Sequence, residues 1–126
     1  MELVTRLGVG EETLSKQTLE KAIRKAVSGQ MLVELGAPKV PEGASPQSRM
    51  ERYKYIDQSN VCAKITELHV GEDGKVYGTV VPHGAKGKLL KQLLKGGSED
   101  RLTFSARAVG GIGQQPELIT FDLTAF

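Results

Sequence analysis

The residues able to do chemistry on this chain are few, and the most suggestive pair stands near the C-terminal end. Ser105 and Arg107 are two apart in LTFSARAVG. On a strand, alternation puts both on one face. A serine hydroxyl in that position is a candidate nucleophile, provided a base takes its proton. Arg107 is then a candidate for orienting an oxyanion or a substrate. The plainer reading of Ser105 is a polar strand residue facing solvent. The plainer reading of Arg107 is an arginine that snorkels or pairs with a carboxylate, Asp122 or Glu117 being in reach. The chain has two histidines, His69 and His83. His83 sits beside Gly84 and Gly87, where a turn could aim it as a relocated base or leave it exposed. His69 reads as a surface strand residue. The lone cysteine, Cys62, excludes an internal disulfide and a cysteine-based zinc cluster. It reads as a small buried apolar residue rather than a nucleophile. The glycine stretches GVGEE (8–12) and GGIGQ (110–114) have no Lys-Ser/Thr after them and no βαβ frame, so they read as turns, not phosphate loops. No cofactor and no metal is expected.

Those residues need elements to position them. Residues 1–14 read as a short strand, Leu3–Leu7, followed by a loop, or as a flexible arm. Ser15 is a plausible N-cap, and Leu19, Ala22, Ile23, Ala26 and Val27 follow helical spacing until Gly29. Met31–Leu35 is a short apolar strand. Residues 36–50 hold three of the five prolines and read as a long irregular loop, a candidate contact arm. Tyr53–Val70 reads as one long or bent strand, with Val61, Ala63 and Ile65 toward the core and Cys62 and Lys64 opposite. Gly71–Gly74 is a turn back into Val76–Val81, a hairpin. Lys86–Lys95 is a second helix with a Leu89, Leu90, Leu93 and Leu94 stripe that reads as core packing, stopped by Gly96-Gly97. Leu102–Val109, a glycine-rich turn over 110–116 and Leu118–Phe126 complete the chain. In the last strand Ile119, Phe121, Leu123 and Ala125 alternate with Thr120, Asp122 and Thr124. The order predicts a single α+β domain over 1–126: a small, mostly antiparallel barrel or curved sheet with two helices.

Bulk composition narrows the function classes. The 126 residues suit one core, and 39% hydrophobic with 25% charged residues is a globular composition. No apolar run approaches the roughly 20 residues of a membrane span. MELVTRLGVGEE has no apolar signal core, so no secretory signal is expected. With 17 basic and 15 acidic residues the formal net charge is +2, which makes no electrostatic case for nucleic acid. Trp is absent and there are three Tyr and three Phe, too few for a base-stacking platform.

Five segments, in order, resemble the T4-type prohead serine proteases, the phage enzymes that process capsids during assembly, whose fold is shared with herpesvirus assemblins. They are SKQTLEKAI, MLVELGAP, SNVCAKITEL, GKVYGTVVPHGAKGKLLKQLLKGG and LTFSARAVGG, and the tail PELITFDLTAF is similar to the family's closing strand. The resemblance runs from about Ser15 to Phe126. It implies a serine nucleophile with histidine bases, and Ser105 stands where the nucleophile would be. The second serine of the family's pair is Ala106. Where the family has His before Pro, this chain has Ala37 before Pro38. Where it has Ser-His before the strand, this chain has Cys62-Ala63.

The resemblance therefore implies a kept scaffold with the bases removed. On that reading the chain is a catalytically silent relative serving as a decoration, cement or minor capsid protein of a tailed phage head. It would be assembled in the host cytoplasm, reside in the virion, and bind the major capsid protein, other head proteins or itself in a lattice. The alternative is an active endopeptidase of prohead maturation, with Ser105 as nucleophile and His83 or His69 as base. A third reading is a regulatory subunit that pairs with an active paralogue.

Overall fold

The computed structural model describes residues 2–10, 14–97, 101–110 and 116–126. Strand β1 (Leu3–Gly10) leads to helix α1 (Lys16–Val27) and strand β2 (Met31–Glu34). Helix α2 (Pro46–Lys54) and a 3-10 turn (Gln58–Asn60) precede the hairpin of β3 (Val61–Val70) and β4 (Lys75–Pro82). Helix α3 (Gly87–Lys95) and strands β5 (Thr103–Val109) and β6 (Glu117–Ala125) follow.

Two antiparallel sheets enclose one core. The first runs β1-β4-β3-β2, and the second is the β5-β6 ribbon. The ribbon leans on the open side of β2: Leu35 bridges Leu123 in parallel, and the Thr120 hydroxyl donates to the Leu32 carbonyl at 2.6 Å. At the far side, β1 approaches β5 at Gly8, whose φ of 133° suits a residue without Cβ. Register shifts in β1, β3 and β6 bend the strands around the core without joining the sheets into one closed ladder. The architecture is α+β with curved sheets, not a closed barrel. The core comprises Leu7, Leu19, Ala26, Met31, Ile65, Val80, Leu90, Phe104, Phe121 and Leu123, among others.

Several elements differ from the expectations drawn from sequence. Three helices, not two, are present among the described residues. The added helix, α2, occupies part of the expected 36–50 loop and the first residues of the expected Tyr53–Val70 strand. Pro46 does not break structure here. It stands in the first turn after an N-cap, Ser45, whose hydroxyl accepts from the Ser48 N–H at 3.1 Å. No residue of α2 is buried, so it leaves no apolar periodicity to read. β3 starts at Val61, and Cys62 is as buried as Val61, Ala63 and Ile65 rather than facing away from the core. In β1, Gly8–Gly10 continue the strand instead of forming a turn; the rest of GVGEE and the 111–115 part of the second glycine stretch lie outside the described residues. In α3, Leu90 is buried and Leu94 packs half-buried against the core.

Candidate functional site

β5 and β6 pair with Ser105 opposite Asp122 and Arg107 opposite Thr120. On the shared face the side chains meet diagonally, each reaching two residues along the partner strand. One diagonal joins Ser105 Oγ to Thr124 Oγ1 at 2.9 Å, in solvent. The other joins Arg107 to Asp122, out of solvent. Arg107 Nε donates to Asp122 Oδ2 at 2.8 Å and Nη2 donates to Oδ1 at 2.6 Å, a two-pronged ion pair.

Arg107 also reaches the strand end of β2 and the segment after α2. Nη2 donates to Glu34 Oε2 at 2.9 Å, and Nη1 donates to the carbonyls of Tyr55 at 2.9 Å and Tyr53 at 3.3 Å. These five bonds match the five N–H donors of a guanidinium, so none is left over. Glu34 is equally committed. Its Oε1 accepts from Arg52 at 3.0 Å and from Asn60 at 3.2 Å, and its Oε2 accepts from the Asp57 N–H at 3.2 Å. Arg52 also donates to the Tyr55 carbonyl at 2.9 Å and lies over the Tyr55 ring. The core of this cluster is dry: Glu34 is 0% exposed, Asp122 2% and Arg107 4%. Two arginines against two carboxylates leave it formally neutral, as a buried cluster must be to offset desolvation. No buried side-chain polar atom among the described residues lacks a hydrogen-bond partner.

The electrostatics follow from this packing. Burial pushes the Glu34 carboxyl up, but the hydrogen bonds from Arg52, Arg107, Asp57 and Asn60 outweigh it and hold the group at about 2. Burial works against the charge on Arg107, and Asp122 and Glu34 more than restore it, so its pKa is raised. Asp122 is raised above the ordinary aspartate value: burial leads and the charge of Glu34 adds to it, against the pull of Arg107. Burial drives the Cys62 thiol up to about 12, which leaves it protonated and unreactive at neutral pH.

The histidines stand elsewhere in the hydrogen-bond pattern. His83 is exposed in the turn after β4, and its backbone N–H donates to the Cys62 carbonyl at 3.1 Å. His69 Nδ1 contacts Glu67 Oε1 at 2.7 Å, and its ring stacks on Tyr77. Among the described residues no hydrogen bond joins Ser105 to either histidine. Ala37 is exposed and lines a depression of about 340 Å³ together with Leu35, Lys39, Arg52, Asp57 and Asn60. Ala63 is 0% exposed on β3, opposite Val33 and Pro82. No cluster of His, Cys, Asp and Glu able to hold a metal ion occurs among the described residues.

Two members of this cluster, Glu34 and Arg52, escape a reading of the sequence. Glu34 did leave a signal: a carboxylate inside the apolar run Met31–Leu35 is buried only if it has partners. Arg52 left none, because its helix has no apolar face.

No match is found among curated proteins or among solved structures. The family model described as the Peptidase S80 family matches residues 11–122. That match runs from before α1 to the Asp122 that holds Arg107, leaving out β1 and the end of β6, and agrees with the resemblance to prohead serine proteases. The chain belongs to the Peptidase S80 family.

Proposed function

We propose that this prohead-protease-like protein has given up proteolysis and serves as a structural component of a tailed phage head, as a decoration, cement or minor capsid protein. The observation that carries the reading is that Ser105 has no base hydrogen-bonded to it among the described residues. Both positions where the family has histidine are alanine, Ala37 and Ala63. The hydroxyl of Ser105 bonds to another hydroxyl, that of Thr124, which is no base. A serine without a base loses several orders of magnitude in rate. Arg107, the candidate for meeting an oxyanion, has every donor engaged in the cluster. A histidine restored at position 63 would need room that a fully buried alanine does not have.

The kept scaffold then acts as a binding body. Its partners are the major capsid protein, other head proteins or further copies of itself, and its site is the mature head. Modest contacts repeated over a lattice give firm attachment without any one being strong. What favours the opposite reading, an active endopeptidase, is the exposure of Ser105. The two part cleanly in one experiment. The chain is co-expressed with the scaffold and capsid proteins of its own phage, alongside Ser105→Ala. The structural role predicts uncleaved substrates in both cases. Cleavage that disappears in Ser105→Ala would overturn it.

A further inference from the structure

A second concave surface lies between α1 and the start of β6, and neither Ser105 nor Arg107 lines it. It encloses about 660 Å³, within the range of small-ligand and short-peptide sites. The helical repeat brings Lys21, Arg24 and Lys25 to it from α1, and Glu117 and Leu118 face them from β6. Three cations thus meet one carboxylate. Lys21 and Lys25, four residues apart on a helix, repel one another, as like charges at that spacing do. Lys25 is half-buried and donates to the Ile119 carbonyl at 2.8 Å. An ammonium has three donors, and this is the single protein acceptor for it among the described residues. Burial lowers its pKa, with the charge of Glu117 acting against that and the charge of Arg107 adding to it. The buried side chains of Ala22 and Leu118 give the groove an apolar floor.

We infer that this groove receives a carboxylate-bearing peptide segment of another protein chain. The cations supply charge-assisted bonds to carboxylates, and the floor takes aliphatic stems. A nucleic-acid strand suits it less well. Glu117 would face the phosphates, and a net charge of +2 gives little long-range attraction. The inference does not depend on whether Ser105 cleaves anything.

The test is fluorescence anisotropy at low salt with a labelled oligoglutamate peptide, amidated at its C-terminus. Oligoglutamine and an oligothymidylate of equal charge run beside it. The intact protein binds oligoglutamate and not oligoglutamine. Lys21→Glu with Arg24→Glu, both exposed positions, weakens binding by about tenfold or more, because like charges then face each other. Lys88→Glu with Lys91→Glu, the same change of charge on α3 outside the groove, leaves it unaltered. Circular dichroism checks that each variant folds. Equal loss in both double variants would reduce the effect to net charge and overturn the site. Oligothymidylate bound as tightly and lost in the same α1 variant would overturn the peptide assignment. Absence of oligoglutamate binding by the intact protein would overturn both.

Discussion

Ser105 and Arg107 are two residues apart on one strand, face the same way, and end in opposite environments. Ser105 is exposed, and its hydroxyl meets another hydroxyl. Arg107 is dry, with five hydrogen bonds to two carboxylates and two carbonyls. Alternation along β5 does not produce this difference, since it treats both alike. What produces it is the cover. The Tyr53–Tyr55 carbonyls and Glu34 close over Arg107, and Ser105 is left in solvent. The same face is thus a structural keystone at one position and an open surface at the next. A sequence pattern can say which way a strand residue points, and only the rest of the fold says what it meets.

The difference can be tested by substitution, beginning with its dry end. Arg107→Met leaves Asp122 as a buried carboxylate without its cation and Glu34 with Arg52 as its remaining cation. It should lower unfolding free energy by about 3–5 kcal/mol, read from urea denaturation. Arg107→Lys keeps the charge and loses the fork, so it should recover only part of that loss.

Acid should weaken the same end. The Glu34 carboxyl titrates at about 2 in the fold against an ordinary 4.5. Its contribution is therefore complete above pH 4.5 and is lost as pH falls toward 2, because the unfolded chain takes up the proton first. Asp122, raised by burial, acts in the opposite sense: the folded state takes up its proton first. The stability difference between the intact protein and Glu34→Gln isolates the first effect. Over that window it should shrink by on the order of 3 kcal/mol. A difference independent of pH would mean that Glu34 is not held ionised.

Arg52→Ala should cost less, about 1–2 kcal/mol, because Glu34 keeps Arg107. Its clearer sign is local. α2 has no buried residue, so Arg52 and the two tyrosine carbonyls are its main ties to the body. Amide hydrogen exchange over 46–55 should accelerate while the core strands keep their protection. Ser105→Ala should have the smallest effect, within about 0.5 kcal/mol, since it removes a solvent-exposed hydroxyl. A large loss there would mean that the exposed end is as structural as the buried one.

The strands, the hairpin and the two amphipathic helices were readable because their burial has a period: α1 buries Leu19, Ala22 and Ala26, and α3 buries Leu90. α2 was not, because its proline and polar residues resemble a loop and its fold-specific role is carried by one arginine. Asp122 was among the partners the sequence offered Arg107; Glu117 is not one of those the fold uses. Glu34 was missed because a long-range contact joins residues 73 positions apart, which no local pattern encodes. At β6 the expected two-faced alternation gives way to burial on both faces from Leu118 to Leu123, since the ribbon lies against β2. The family resemblance gave what periodicity could not: the reason to ask what stands at positions 37 and 63.

The most direct test of a silent protease turned head component is quantitative mass spectrometry of mature particles of the phage that encodes this chain. A structural role predicts this chain, uncleaved, in the mature head, in the multiple copies of a lattice component. A chain found in precursor heads and missing or fragmented in mature ones would contradict it, and would make Ser105 the next residue to change.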